Sequence, residues 1–142
     1  LFQYVGSGTP ISTYVNTLNQ IPVFVNGRGD MGRTPFLSRT DLLISHELKM
    51  KGAKKVRAEL NIINLFNQKT VTHIFNSLNK GAGLARADSA IDLSGQNLTR
   101  GYNYNALIRA SASGAAAFDP RYGQPDLWQQ GMQGQFSLKF LF

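Results

Sequence analysis

Cysteine is absent from this chain of 142 residues, and histidine occurs only as His46 and His73. Disulfide bonds and thiolate-bound metals are therefore excluded. Two histidines are also too few for a typical histidine metal site, and they leave little material for a serine-type catalytic triad. We therefore expect no enzyme activity, no metal and no cofactor.

Long apolar runs are absent as well. No stretch approaches the roughly 20 consecutive apolar residues that a membrane-spanning helix requires. Any crossing of a membrane by this chain must therefore use β-strands. The length suits one domain, and the chain begins at Leu1 without an initiator methionine or a signal peptide. We expect from this an internal start, with the N-terminal part of a larger protein missing.

Acidic residues are scarce: 8 Asp and Glu residues stand against 15 Lys and Arg residues, which gives a net charge of +7. A basic excess of this kind can indicate nucleic-acid binding. Here, however, five of the basic residues lie between positions 49 and 57, and the other ten are scattered singly. A charged strand end at a membrane boundary explains the dense patch better than phosphate binding does. We therefore expect no nucleic-acid partner.

The clearest pattern in the sequence is an alternation at the C-terminus, over approximately residues 134–142. Large apolar residues recur there at every second position: Phe136, Leu138, Phe140 and Phe142. The interleaved positions are mostly polar, which is typical of a β-strand with one apolar and one polar face. Such a strand suits a barrel wall with lipid outside and a polar interior. It suits the edge of a soluble β-sandwich equally well.

Two further strands are predicted at approximately residues 40–50 and 55–67, together with the tail of another strand at 1–5. The two longer segments alternate with a period of two, and about 10 residues suffice to cross a membrane at a tilt. The alternation blurs over residues 63–67, which predicts a bulge or the approach of an interface. A tight turn at 51–54 joins the two strands.

Charge pairing predicts the register of this hairpin. In one register Lys49 faces Arg57. Glu47 then lies opposite Glu59, and like charges directly opposed are destabilising. In the other register Lys49 faces Lys55. Glu47 then lies opposite Arg57, and such an opposite-charge pair contributes roughly 0.2–1 kcal/mol. We therefore predict the second register.

Two long segments, 6–36 and 73–133, are rich in glycine, proline and other turn-forming residues. They are predicted to be long irregular loops, which in compact domains are usually functional or mobile. Within them the pattern allows a short extended piece at 21–25 and two turns of helix at 102–110. A further short, capped turn is predicted at 88–92.

Several runs of residues carry a family likeness. They are Arg33-Thr34-Pro35, Thr40-Asp41-Leu42-Leu43-Ile44, Leu60-Asn61-Ile62-Ile63-Asn64-Leu65-Phe66-Asn67, and the strand that ends in Phe142 after a long loop. Together they resemble the C-terminal end of a TonB-dependent outer-membrane receptor. Within that family, two runs are similar to the Oar-like subgroup: Asn26-Gly27-Arg28-Gly29-Asp30-Met31-Gly32-Arg33-Thr34-Pro35 and Phe118-Asp119-Pro120-Arg121-Tyr122-Gly123-Gln124-Pro125. The match covers nearly the whole chain, in order.

The resemblance implies an all-β fold, in which antiparallel strands form the C-terminal segment of a large transmembrane β-barrel with two long extracellular loops. With a periplasmic C-terminus, segments 6–36 and 73–133 lie outside and the turn at 51–54 is periplasmic. The implied location is the bacterial outer membrane. The implied function is uptake of a bulky nutrient, with adhesion or export as alternatives. The implied partners are outer-membrane lipid, the remainder of the barrel and its plug, the TonB system through the missing N-terminal part, and the barrel assembly machinery.

The same resemblance implies roles for particular residues. Four residues of the last strand are expected to face lipid and to form the barrel assembly signal: Phe136, Leu138, Phe140 and Phe142. Five charged residues are expected to face the lumen: Glu47, Lys49, Arg57, Glu59 and Lys139. Four aromatic residues near the end of the chain either form a surface for an external ligand or pack the loop onto itself: Tyr102, Tyr104, Tyr122 and Trp128. For Asp119, Arg121 and Asp126, ligand contact and turn-stabilising pairing are both open.

Three shorter motifs are better explained without chemistry. The run 27–32 fits G-x-G-x-x-G, but a dinucleotide site needs a helix that opens at the third glycine, and here Pro35 and a strand pattern follow. Residues 28–30 spell the Arg-Gly-Asp adhesion tripeptide, and three residues carry almost no information. Ser45 and His46 point to opposite faces of a strand, so they cannot act as a catalytic pair.

A soluble all-β module, such as a carbohydrate-binding sandwich, is the alternative from a different class. It predicts that six apolar residues turn inward to one core: Leu42, Ile44, Leu60, Ile62, Phe136 and Phe140. A hydrolase is a third possibility, and it would require a polar constellation that the sequence does not offer.

Overall fold

The structure is a computed structural model that describes residues 1–19, 21–50, 54–80 and 87–141. The chain separates into two compact units. The first, which we call the sheet unit, comprises Leu1–Gly8, Pro35–Thr72 and Leu127–Phe142. The second, the loop unit, comprises Thr9–Thr34 and His73–Asp126.

The described residues form a mostly β structure with antiparallel sheets and one short helix. The strands, in chain order, are β1 (Phe2–Gly6), β2 (Tyr14–Asn16), β3 (Pro22–Phe24), β4 (Leu37–Lys49), β5 (Lys55–Ile63), β6 (Val71–Ile74), β7 (Pro125–Trp128) and β8 (Gln133–Leu141). The helix is α1 (Tyr104–Ala110), and two 3-10 turns cover Ala87–Ser89 and Gly114–Ala117. The expected antiparallel β architecture is confirmed, but within the described ranges the sheets do not close into a barrel.

A four-stranded antiparallel sheet in the order β1-β4-β5-β8 makes up the sheet unit. Strand β4 is long enough to pair with two neighbouring strands over different parts of its length. Its residues 37–41 pair with β1, and its residues 42–49 pair with β5. Strand β5 then pairs along its whole length with β8. Strands β6 and β7 form a separate two-stranded sheet, as do β2 and β3.

The register predicted from the charges is confirmed. Lys49 lies opposite Lys55, and Glu47 lies opposite Arg57. On the other side of β5, Arg57 lies opposite Lys139. Directly opposed residues of antiparallel strands project from the same side of a sheet. The charged residues of three strands therefore share one face.

The boundaries of the two middle strands differ from those predicted. Strand β4 begins at Leu37 rather than at 40, because its first residues pair with β1. Strand β5 ends at Ile63 rather than at 67. The reason is that Asn64 and Asn67 adopt left-handed conformations, with φ of 54° and 48°, which a strand cannot accommodate. The blurred alternation thus marks the end of the strand.

The two outer strands agree with the prediction to within one residue, since β1 covers 2–6 and β8 covers 133–141. Two parts of the prediction lie outside the described residues. They are positions 51–53 of the tight turn and Phe142.

The two segments predicted to be irregular loops, 6–36 and 73–133, contain the whole loop unit, and its regular elements correct the prediction of irregular structure. They carry strands β2 and β3, which pair with each other, and helix α1. The unit has its own hydrophobic core, formed by Val15, Ile91, Ile108 and Ala117. These residues lie far apart in the sequence, so local periodicity does not show that they pack together, although Ile108 lies in the helix predicted at 102–110.

Helix α1 confirms the helix predicted within 102–110. It follows Asn103, whose side-chain oxygen accepts a hydrogen bond from the N–H of Ala106 at 3.0 Å. This contact satisfies one of the free amides of the first turn. Ile108 anchors the helix in the core of the loop unit. Over the parts of the chain that the structure describes, no helix is both long enough and apolar enough to span a membrane.

The smaller predicted elements of the loop unit are also present. Strand β3 lies within the extended piece predicted at 21–25. The 3-10 turn Ala87–Ser89 overlaps the short turn predicted at 88–92.

Candidate functional site

One face of the four-stranded sheet is apolar, and many of its large side chains are exposed. We call it the apolar face, and pairing with alternation places on it Leu42, Ile44, Leu48, Val56, Leu60, Ile62, Phe136, Leu138 and Phe140. Phe136 and Phe140 are 65% and 62% exposed, and Leu138 is 52% exposed. These three residues were predicted to face lipid, and the fourth, Phe142, lies outside the described residues.

The exposure of this face is energetically unusual for a protein in water. Burying a large apolar side chain is worth about 1.5–3 kcal/mol relative to leaving it exposed. A contiguous exposed apolar surface marks a contact with a membrane or with a partner. The only imidazole on this face, His46, is exposed and lies opposite Ala58. The apolar face is therefore the strongest candidate for a functional surface in the sheet unit.

The opposite face, which we call the charged face, carries Glu47, Lys49, Lys55, Arg57, Glu59 and Lys139. All five residues predicted to face the lumen belong to it. Glu47 forms ion pairs with Lys55 and Arg57, each at 3.0 Å. Glu59 forms an ion pair with Lys139 at 2.7 Å, and Arg57 lies 3.8 Å away from it. The two acids thus alternate with cations across three strands.

This ion-pair network adds little to the free energy of unfolding, but it favours the register in which the charged side chains share one face. The cationic side chains are about half exposed, from 43% for Lys55 to 56% for Lys139. Exposed ion pairs of this kind contribute about 0–1 kcal/mol each. If one of these strands slipped by one residue, however, all of its charged side chains would move to the apolar face. The network therefore helps to specify which face is charged.

Asn64 and Asn67, which the sequence placed only within the run 60–67 that carries the family resemblance, form a junction where β5 ends. Asn64 is fully buried. Its side-chain amide donates hydrogen bonds to the carbonyls of Gln68 and Gln130, at 2.9 and 2.7 Å, and its side-chain oxygen accepts from the N–H of Gln68 at 3.0 Å. Its backbone N–H donates to a carboxylate oxygen of Asp41 at 2.9 Å. Through its side chain and its backbone N–H, Asn64 thus contacts three other parts of the sheet unit, at Asp41, Gln68 and Gln130.

Asn67 completes this junction. Its N–H donates to the carbonyl of Asn64 at 2.8 Å, and its side-chain oxygen accepts from the N–H of Met132 at 3.0 Å. The two asparagines of the Asn-Leu-Phe-Asn element therefore fasten the end of β5 to the segment before β8. The available signal was a pair of asparagines just after a strand, because Asn tolerates the left-handed region and bonds to nearby backbone.

The four aromatic residues for which ligand contact and packing were both open have different surroundings. Tyr102 and Tyr104 are half-buried and pack against the core of the loop unit. Burial raises the pKa of the Tyr102 phenol. The hydroxyl of Tyr122 forms a 2.6 Å hydrogen bond with that of Thr13. Trp128, which belongs to the sheet unit, is 55% exposed. The three tyrosines thus have the contacts that the packing interpretation expects.

The charged residues near the end of the loop unit form pairs. The carboxylate of Asp119 is buried and accepts hydrogen bonds from Nε and an Nη of Arg121, at 3.0 and 2.7 Å. This bidentate contact raises the pKa of Arg121. The guanidinium also lies 4.2 Å from the ring centre of Phe75. Asp126 contacts Nδ1 of His73 at 2.6 Å. These contacts are those of the turn-stabilising interpretation.

The glycine-rich run 27–32 differs from a nucleotide-binding loop. No helix opens at Gly32, and its N–H instead closes a turn with the carbonyl of Gly29 at 3.0 Å. Asp30 accepts hydrogen bonds from the N–H of Thr13 at 2.7 Å and from the side chain of Asn26 at 3.1 Å. Burial raises the pKa of Asp30, but the hydrogen bonds lower it by more, so that the net pKa lies below its usual value. Both carboxylate oxygens of Asp30 are thus engaged by contacts within the loop unit.

Two cavities of about 270 and 390 Å³ lie in the loop unit, and both are lined in part by Leu18 and Asp92. Neither cavity is lined by Tyr102, Tyr104, Tyr122 or Trp128, the aromatic residues for which ligand contact was one alternative. In the described ranges, no group of three histidine or carboxylate side chains is placed to hold a metal ion.

Comparisons with known proteins assign the chain to no family, since no protein-family model, no curated protein sequence and no solved structure matches it.

Proposed function

We propose that the chain forms the C-terminal strands and two extracellular loops of an Oar-like, TonB-dependent receptor in the bacterial outer membrane. In this role it contributes barrel closure and external surface to the uptake of a bulky nutrient. The observation that carries the proposal is the exposed apolar face, which lies back to back with the charged face on the same antiparallel strands. A barrel wall between lipid and a polar lumen needs these two faces.

The lengths of the strands support the proposal. A transmembrane strand requires about 9–11 residues at the usual tilt. Strands β5 and β8 have 9 residues each, and β4 has 13. Phe136 and Phe140 of β8, together with Leu138, would then face the acyl chains. This is also the strand in which the resemblance places the signal for the barrel assembly machinery.

The edges of the sheet support a larger barrel. Among the described strands, β1 and β8 each pair on one side only. Unpaired backbone N–H and C=O groups are very costly in the hydrocarbon region of a membrane. Both edges therefore require neighbours, and in the proposed receptor the remainder of the barrel supplies them. The plug and the TonB-contacting segment would belong to that remainder.

The charged face fits the proposed lumen. It carries four cations and two acids, with the acids in ion pairs. Charged side chains on the lipid face of a barrel strand are destabilising by about 2–4 kcal/mol at the bilayer midplane, whereas the lumen side tolerates them. All six of these charges lie on one face, which is the arrangement that a barrel strand in a membrane requires.

The alternative, a soluble all-β ligand-binding module, is less well supported. It requires the residues of the apolar face to form one inward core. Ile44 is 52% exposed, and Phe136 and Phe140 are more exposed still. In the described part of the chain this face has no such core.

Circular dichroism and sedimentation of the purified chain, first in plain buffer and then in detergent micelles, test the proposal. We expect aggregation in buffer and a recovered strand signal in micelles. A matched pair of variants sharpens the test. Phe136→Asp should impair recovery in micelles, whereas Gln135→Asp, one residue away on the opposite face, should not. A compact monomer that melts cooperatively in plain buffer would overturn the proposal and favour the soluble module.

A further inference from the structure

The loop unit holds the only Asn-Gly dipeptide of the sequence, Asn26-Gly27. Both residues are exposed, and Gly27 has a φ of 85° in the glycine-rich turn. Across the described residues, no hydrogen bond occupies the N–H of Gly27. A backbone amide with these properties has no Cβ beside it to hinder its approach to the preceding side chain.

The side chain of Asn26 links two parts of the loop unit. Its amide nitrogen donates a hydrogen bond to Oδ2 of Asp30 at 3.1 Å. Its oxygen accepts one from the hydroxyl of Tyr104 at 3.0 Å. Asp30 in turn accepts from the N–H of Thr13 at 2.7 Å. We call this chain of contacts, from Thr13 through Asp30 and Asn26 to Tyr104, the Asn26 latch.

We infer that Asn26 is a site of spontaneous deamidation and that its conversion to a carboxylate opens the Asn26 latch. The backbone nitrogen of Gly27 loses its proton and forms a bond to Cγ of Asn26. The Cγ–Nδ2 bond breaks, and the nitrogen leaves as ammonia, which gives a five-membered cyclic imide. Water then opens either carbonyl of the imide, so that residue 26 becomes aspartate or isoaspartate. Water is the only co-reactant, and no redox change occurs.

The hydrogen-bond pattern of Asn26 makes this site sensitive to the change. A carboxylate has no hydrogen to donate, so the contact with Asp30 is lost. Two negative charges then lie where a donor and an acceptor met, and like charges at this separation repel even near a protein surface. Modification therefore separates residue 26 from Asp30. The chain of contacts from Thr13 to Tyr104 is thereby interrupted between residue 26 and Asp30, while residue 26 can still accept the hydrogen bond from the Tyr104 hydroxyl.

Asn97 provides a matched contrast. Its side-chain oxygen accepts hydrogen bonds from the N–H groups of Thr99 and Arg100, each at 3.1 Å. A carboxylate can accept both of these bonds equally well. Deamidation at Asn97 would therefore leave its local structure in place, whereas deamidation at Asn26 would not. The inference concerns the loop unit alone and does not depend on the membrane role proposed for the sheet unit.

Peptide mapping tests the chemistry. The full chain is folded, in plain buffer or in detergent micelles as its solubility requires, then incubated at mildly alkaline pH, digested and analysed by mass spectrometry that separates Asp from isoaspartate. We expect both products at position 26, with Asn26→Gln blocking them, and far less conversion at Asn97. A synthetic peptide that spans the turn serves as the unfolded reference. Conversion of the peptide without any conversion of the folded chain would overturn the inference.

Hydrogen exchange tests the consequence. In Asn26→Asp we expect the N–H of Thr13 to exchange about tenfold faster than in the unmodified chain, a modest effect for two like charges in contact. Asn97→Asp should leave it unchanged. The double variant Asn26→Asp with Asp30→Asn restores one donor and one acceptor, with the roles of the two residues reversed. We therefore expect the Thr13 N–H to regain its protection from exchange. If Asn26→Asp alone fails to fold, the double variant should fold. Exchange in Asn26→Asp equal to that in Asn97→Asp, or a double variant without rescue, would overturn the latch.

Discussion

The side-chain amide of Asn64 donates a hydrogen bond of 2.7 Å to the backbone carbonyl of Gln130, a residue 66 positions away in the sequence. The contact fixes the end of β5 to the segment that leads into β8. It requires a residue that tolerates a φ of 54° and also presents both a donor and an acceptor on a short side chain. Asparagine meets these requirements together.

Replacing Asn64 should therefore destabilise the sheet unit more than the small size of this side chain suggests. In Asn64→Ala, two backbone carbonyls and one N–H lose their partner in a buried site, and we expect the free energy of unfolding to fall by about 1–3 kcal/mol. Asn64→Asp should cost more, because it keeps the shape but buries a charge that cannot donate. Denaturant-induced unfolding in micelles measures both.

Asn61→Ala is the control for this prediction. Asn61 lies in β5 on the charged face, and its side chain makes no hydrogen bond within the described residues. We expect it to change the free energy of unfolding by less than about 0.5 kcal/mol. Equal losses for Asn61→Ala and Asn64→Ala would show that the junction at Asn64 is unimportant.

The pairing of Glu47 with Arg57 is a second test of the sheet. In Glu47→Arg the new cation lies opposite Arg57 and beside Lys55, which should cost roughly 0.2–1 kcal/mol through like-charge contact. Adding Arg57→Glu restores an opposite pair in the same register and should recover most of the loss. A double-mutant cycle measures the coupling. Strictly additive effects would mean that the charges do not help to select this register.

The sheet was predictable because its signals are local. Period-two alternation is a property of neighbouring residues, and it located three of the four strands of the four-stranded sheet, while residues 1–5 were predicted as the tail of a further strand. The charges then determined the register, since only one pairing puts Glu47 opposite Arg57. The ends of the middle strands were less predictable. Leu37 joins β4 through its pairing with β1, a contact that the residues around 37 do not reveal.

The core of the loop unit was not predictable for the opposite reason. Its core combines Val15 from the first segment with Ile91, Ile108 and Ala117 from the second. Ile108 lies in the helix predicted at 102–110, but no local pattern shows that it packs against Val15, Ile91 and Ala117. The buried contacts of Asn64 were not predicted for a similar reason, because its partners Asp41 and Gln130 are distant in the sequence. The side of the sheet that meets lipid stays a prediction.

Tryptophan fluorescence can test which face meets lipid. In a Trp128→Phe background, a tryptophan replaces either Phe136 or Gln135, neighbours on β8 that project from opposite faces. After reconstitution into vesicles of brominated lipid, we expect strong quenching for Phe136→Trp and weak quenching for Gln135→Trp. A water-soluble quencher should give the reverse order. Equal quenching of both variants by lipid would contradict the assignment of the apolar face.

The pH dependence of the loop unit should report on Asp30. Its pKa is lowered in the folded chain, so the ionised carboxylate stabilises the fold. This contribution is complete above the pKa of an unfolded aspartate, about 3.9, and it is lost as the pH falls through the lower folded pKa. Asp30→Asn retains an acceptor for the N–H of Thr13 but removes the titration. We expect Thr13 to be better protected from exchange in the unmodified chain than in Asp30→Asn at neutral pH, and the two to converge in acid. A difference that stays constant into strong acid would show that the charge of Asp30 contributes nothing to the turn.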